Sequence, residues 1–125
     1  MNLLVDTHVA IWWLDRPDRL SAPARAMISD PGNRVFISAA SVWEIELKRA
    51  KGKLEVPDAY WPMLAAEGFE ELSVTAKHAR ATSALPPHHA DPFDRLLVAQ
   101  AGVEQMVLLS RDAWIAQYNV PSVVA

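Results

Sequence analysis

The sequence predicts an α/β protein: a small three-layer α/β/α sandwich around a short, mainly parallel central sheet. Three observations predict it. Apolar runs of strand length alternate with longer stretches of helical spacing, which is the pattern of parallel strands joined by crossover helices. The 125 residues suit one domain, taken here as residues 1–125. The composition is 51% hydrophobic, enough to build a packed interior and to exclude a disordered chain.

Taken in order, residues 3–5 ("LLV") read as a short buried strand and 8–14 as a helix too apolar to lie on the surface. A polar link follows, then a helix over about 23–29, then a turn marked by Asp30, Pro31, Gly32 and Asn33. "RVFIS" at 34–38 is the second strand, being β-branched and aromatic. Over 39–51 Val42, Ile45, Glu46 and Arg49 keep helical spacing until Gly52 stops the helix. A helix is expected from Pro57 or Asp58, with Pro62 disturbing its first part. "EELSV" at 70–74 is the third strand, and Thr75 caps a helix running through Ala84. "LPPHH" is a rigid connection, and the clearest helix, "DPFDRLLVAQAGVEQ", turns Phe93, Leu96, Leu97 and Ala101 to one face. "MVLLS" is the fourth strand, "RDAWIAQYN" a short helix and "SVV" the last strand.

Composition also narrows the function. The absence of cysteine removes disulfides, zinc–thiolate sites and thiol nucleophiles together. No secretory signal is visible, and "VAIWWL", the longest apolar run, falls far short of the roughly 18–20 residues of a membrane span. A cytoplasmic protein is the expectation. A net charge of −3 argues against nucleic-acid binding by bulk electrostatics, yet it is compatible with an acidic site offset by cations. Basic residues gather in "KRAKGK" at 48–53, with Arg95 and Arg111 elsewhere.

Four carboxylates stand out, and each has an ordinary explanation. Asp6 ends the first strand and would cap the next helix. Glu44 has Lys48 one turn later, the favourable order for a surface ion pair. Asp94 follows Asp91 and Pro92 at a helix start, where an acid supports the dipole. Asp112 follows the fourth strand, where it would cap the next helix with Ser110. Their conjunction needs more than capping. In a parallel sheet the carboxyl ends of the strands share one edge, so these acids are expected to converge there. Clustered carboxylates repel and raise one another's pKa. A divalent cation relieves that, and all-oxygen donors favour Mg²⁺ or Mn²⁺. Such sites suit phosphoryl transfer, in which the metal orients water and neutralises developing charge.

The blocks "LLVDTHVAIWWL", "ISAASVWEIELKRAKGKL", "HADPFDRLLVAQA" and "LLSRDAWIAQY" together resemble the PIN-domain family, and within it the VapC ribonuclease toxins of type II toxin–antitoxin pairs. The resemblance covers nearly the whole chain. It implies a Rossmann-like fold and Mg²⁺-dependent endoribonuclease activity leaving a 5′-phosphate and a 3′-hydroxyl. The family's four acids fall on Asp6, Glu44, Asp94 and Asp112, and its small hydroxyl residues on Ser41 and Ser110. By this resemblance Asp6 and Asp94 hold the metal directly and Asp112 directly or through water. Glu44 acts through water or a second ion, or orients the attacking water.

Ser41, Arg95, Ser110 and Arg111 are candidates for substrate contact, together with the 48–53 cluster, although solvated surface charge is the plainer reading of any one cation. His8, His88 and His89 invite a role as general acids, and His88 and His89, beside Asp91 in a rigid loop, also a metal role, with a loop histidine near the substrate path the plainer reading for these two. Trp12, Trp13 and Trp43 read as core, leaving Trp61 and Trp114 to stack on bases. The implied partners are RNA, a VapB-like antitoxin that inserts a basic side chain into the acidic site, and a second copy of the chain. The first helix and "VPDAYWPML" are the surfaces suspected for these contacts, and no membrane is involved. Two rivals stay open: a metal-dependent phosphatase, weakened because "DTH" lacks a second Asp two residues after Asp6, and a non-catalytic interaction module on the same fold.

Overall fold

The computed structural model describes residues 1–88 and 90–125; His89, one of the three histidines singled out above, lies outside the described residues. Five strands form one sheet in the order β3-β2-β1-β4-β5, and every neighbouring pair is parallel. They are β1 (Asn2–Val5), β2 (Arg34–Ser38), β3 (Glu70–Leu72), β4 (Val107–Ser110) and β5 (Ser122–Val124). The helices are α1 (Thr7–Asp15), α2 (Ala22–Ser29), α3 (Ala39–Ala50), α4 (Tyr60–Ala66), α5 (Ala76–Ala81) and α6 (Pro92–Glu104).

The pleat of the central strand explains the three layers. Leu3, Leu4 and Val5 are fully buried, and alternate residues point to opposite faces. Leu3 and Val5 join a core with Val9 of α1, Ala24 and Ile28 of α2, Ile45 of α3, and Tyr60 and Leu64 of α4. Leu4 joins the other core, with Phe36, Leu108 and the Leu97, Val98 and Ala101 face of α6. The register sets Leu4 opposite both Phe36 and Leu108, and Val5 opposite Ile37 and Leu109. The strands are apolar on both faces because both faces are covered.

Helix starts follow the capping chemistry in the sequence. Asp6, Ser21, Ser38, Thr75 and Asp91 each accept a backbone N–H at a helix N-terminus. Pro92 begins α6, where its missing N–H costs nothing. Gln105 closes α6 with a left-handed φ of 56°, a conformation that usually goes to glycine.

Several elements differ in extent from the expectation. β3 stops at Leu72 rather than reaching Val74, and among the described residues it pairs only with the short run Phe36–Ser38 of β2. α4 begins at Tyr60, so that Pro62 falls within its first turn, where proline is tolerated. α5 tightens into a 3₁₀ turn at Thr82–Ala84, and "RDAWIAQYN" forms only the 3₁₀ turn Ala113–Gln117. Trp43 is not core: α3 turns Ala40, Ser41, Glu44 and Ile45 inward and leaves Trp43 61% exposed. Among the described residues, no helix is long and apolar enough to cross a membrane.

Candidate functional site

The strand order reverses direction at β1, with β2 and β3 on one side and β4 and β5 on the other. In an open parallel sheet the crevice beyond the carboxyl ends at such a reversal is where ligands bind. Four segments deliver acids to it. Asp6 follows β1, Asp112 lies two residues past β4, α3 carries Glu44 out from β2, and the start of α6 brings Asp91 and Asp94. With Thr7, His8, Lys48 and Arg111 they line one cleft of about 300 Å³. All four predicted acids are therefore brought together. Asp91, read from the sequence as a cap alone, is both: its Oδ1 accepts from the N–H groups of Phe93 (2.8 Å) and Asp94 (3.3 Å).

Asp6 likewise does two things. Its Oδ1 accepts from Val9 N at 2.8 Å, capping α1. Its Oδ2 accepts from Ser110 Oγ at 2.6 Å and from Arg111 N at 3.2 Å. Ser110 Oγ in turn accepts from Asp112 N at 2.9 Å. One buried hydroxyl thus ties the ends of the two strands at which the sheet reverses and holds two of the acids in register. Burial pushes the Asp6 carboxyl above its ordinary value, and the hydrogen bonds from Ser110, Val9 and Arg111 and the charge of His8 pull the other way.

Glu44 is 7% exposed. Its Oε1 accepts from Thr7 Oγ1 at 2.6 Å and its Oε2 from Lys48 Nζ at 2.8 Å. The i,i+4 pair expected from the sequence exists, but its carboxylate faces the cleft instead of open solvent. Asp112 accepts from Trp114 N at 3.0 Å, the cap expected of it. His8 lines the cleft, and burial, followed by the Arg111 charge, lowers its pKa.

The candidate contact residues separate. Arg111 lines the cleft, with its guanidinium carbon 5.4 Å from the Trp12 ring centre. Ser110 braces the site from behind. Arg95 is committed elsewhere: it donates to the carbonyls of Thr82 (2.9 Å), Pro86 (3.0 Å) and Leu85 (3.3 Å), fastening α6 to the preceding loop. Ser41 is 1% exposed, and among the described residues its Oγ has no hydrogen-bond partner. His88 packs edge-on against Tyr118 at 5.1 Å. Trp61 donates to Glu46 Oε1 at 3.2 Å and packs against the core, away from the residues that line the cleft. Trp114 is 53% exposed.

Among the described residues, no three acidic or histidine side chains converge tightly enough to encage an ion by themselves. The donors offered to the cleft by its acids are hard carboxylate oxygens. Mg²⁺ is held in this way, by one or two carboxylates while it keeps several waters, and a cleft of about 300 Å³ leaves room for them. The donor set fits such an ion.

Residues 3–120 match the PIN domain family. The chain is 30% identical over 123 residues to Ribonuclease VapC22 of Mycobacterium tuberculosis (strain ATCC 25618 / H37Rv), across 96% of this chain and 94% of that protein. In fold it is similar to VapBC2 from Rickettsia felis, solved bound to a DNA fragment from its promoter, with a TM-score of 0.74 at 13% identity over 98% of both chains. It is also similar to DNA-bound VapBC from Salmonella typhimurium, with a TM-score of 0.70 at 13% identity over 98% of this chain and 97% of that one.

Proposed function

This chain belongs to the PIN-domain family, and from that premise we propose that it is a Mg²⁺- or Mn²⁺-dependent endoribonuclease, the toxin of a toxin–antitoxin pair. The observation that carries the reading is that Asp6, Glu44, Asp94 and Asp112 line one cleft at the reversal of the sheet. The likeness to a ribonuclease over nearly the full length of both chains supports it.

In this reading Asp6 and Asp94 hold the metal, Asp112 joins them directly or through water, and Glu44 acts through a water. When bound, the ion supplies charge neutralisation at the scissile phosphate and a more acidic water. The chain supplies the rest. Ser110 and the start of α1 hold the Asp6 carboxylate still, so little reorganisation remains when substrate arrives. Thr7 and Lys48 fix Glu44 in one orientation, from which it accepts a hydrogen bond from the attacking water. Arg111 and Lys48 meet phosphate oxygens, and Trp12 supports Arg111 through its ring face. In-line hydrolysis then leaves a 5′-phosphate and a 3′-hydroxyl.

The proposed protein partner is a VapB-like antitoxin, by analogy with the VapBC complexes that share the fold, and pairing of the chain with itself belongs to the same reading. The two segments suspected of these contacts share a groove lined by Ile11, Leu14, Val56, Pro57, Tyr60 and Met63, which supports protein docking there. An RNA substrate implies action in the cytoplasm.

The test uses the purified chain, freed of antitoxin, on a mixed RNA pool with Mg²⁺, with Mn²⁺ and with chelator. Discrete cuts that need metal and vanish in Asp6→Asn are expected. A folded chain that cuts nothing with either metal overturns the nuclease reading in favour of a binding module. Cleavage that persists in Asp6→Asn overturns the assignment of the metal site.

A further inference from the structure

Trp43 is the most exposed tryptophan and stands one position from an acid of the cleft, and nothing in the chemistry above uses it. It immediately precedes Glu44, and its ring meets that of Phe93 edge to face, with centroids 5.4 Å apart and planes at 66°. Phe93 immediately precedes Asp94. Each ring is therefore the sequence neighbour of a cleft acid, one on α3 and one on α6, and the contact between them joins the two helices. Neither ring belongs to either hydrophobic core. Trp43 remains 61% exposed even with Phe93 against it.

A tryptophan that stabilises a fold hides most of its surface, and this one does not. A ring held from one side by an edge-to-face neighbour is oriented while its remaining surface stays open to solvent. That is the requirement for stacking a planar ligand, because the ring need not be ordered when the ligand arrives. The open surface fits a single unpaired nucleobase, and single-stranded nucleic acid is bound by aromatic rings beside a backbone track. A cation for the backbone is present on the same helix, where Lys48 lines the cleft, and Lys51 and Lys53 follow the helix in sequence.

We propose that Trp43, propped by Phe93, is a base-stacking platform that binds an unpaired nucleotide of the RNA flanking the scissile phosphate. It is a binding residue and takes no part in the bond-breaking step. The proposal rests on the ribonuclease reading and adds to it the residue that grips one base of the strand.

The experiment compares the whole chain with Trp43→Ala and Trp43→Phe on short unstructured oligoribonucleotides of uridine and of adenosine. Binding is followed in chelator by anisotropy of a labelled strand and by intrinsic tryptophan fluorescence, and cleavage is followed in Mg²⁺. Losing one stacked base weakens binding roughly ten-fold, so Trp43→Ala should lose about that factor in affinity and in kcat/KM. Trp43→Phe should bind within a few-fold of the parent yet lose the Trp43 share of the RNA-induced quenching, a signature that a purely structural role leaves in place.

Parent and Trp43→Ala binding and cutting equally well, or quenching undiminished in Trp43→Phe, overturns the platform. Trp43→Ala that changes the mass of the particle in solution while leaving RNA binding intact overturns it too, and makes the ring a contact between protein chains. A parent chain that neither binds nor cuts RNA removes the ribonuclease reading itself, which no result with the variants alone can do.

Discussion

Two buried serines at the same end of the sheet should respond oppositely to the same truncation. Ser110 Oγ donates to Asp6 Oδ2 at 2.6 Å and accepts from Asp112 N at 2.9 Å. Ser41 Oγ is equally buried and has no partner among the described residues. Ser110→Ala removes a hydrogen bond to a charged group, worth about 1.5–3 kcal/mol, and also leaves the Asp112 N–H without its acceptor. The expected loss is therefore about 2 kcal/mol. For a chain of this size that is a fall of roughly 6 °C in Tm. Ser41→Ala removes a hydroxyl that was desolvated without compensation, so stability should stay level or rise. Thermal melts of the two variants and the parent, at equal concentration in chelator, measure both. Ser110→Ala should also cut RNA more slowly and need a higher pH to do so, because the Ser110 bond lowers the Asp6 pKa. Equal melting temperatures for the two variants, or a Ser41→Ala loss as large as that of Ser110→Ala, would refute the reasoning that the Asp6–Ser110–Asp112 chain of hydrogen bonds ties the two strand ends.

Four further outcomes follow from the geometry. Burial raises the Asp6 pKa in the folded chain, so its contribution to stability is full below the ordinary value and is lost as pH rises through the folded one. In chelator, Asp6→Asn should thus gain on the parent in urea melts as pH increases, and a parent that gains on the variant contradicts the sign. On the proposed metal site, adding Mg²⁺ should stabilise the parent more than this variant, which lacks one of its carboxylates. Lys48→Ala should weaken binding evenly across RNA sequences and reduce the salt slope of log K by about one, whereas a change confined to one sequence would show that Lys48 reads bases. Gln105→Gly should stabilise the chain by about 1 kcal/mol, because a non-glycine residue pays for its left-handed backbone; a lower melting temperature would mean that the Gln105 side chain contributes more than its backbone costs.

The alternation of strand and helix, the caps and the acids were legible in the sequence because each is a local matter. A strand-length apolar run, an Asp or Ser before a helix, and a Pro at the first helical position act within a few residues, and these set β1, β2, β4 and the starts of α1, α3 and α6. The acids could be suspected of converging because parallel strands share one edge at their carboxyl ends. The elements least well delimited, β3, α4 and the 3₁₀ turn Ala113–Gln117, take their extents from neighbours in space: β3 is as long as the part of β2 it pairs with.

Tertiary structure alone decided what each site residue touches. Ser110 and Asp6 are 104 positions apart and Thr7 and Glu44 are 37 apart, so no local pattern announces either bond. Arg95 and Arg111 look alike in the sequence. One fastens a loop while the other lines the cleft, a difference set by where α6 and the end of β4 lie against their neighbours. Trp43 reads as core beside Val42 and Ile45, yet α3 packs through the face that carries Ala40, Ser41, Glu44 and Ile45. The sequence by itself determined which chemistry was available. The reversal of strand order at β1 determined where the acids meet, because only the packed sheet brings the ends of strands far apart in the chain to one cleft.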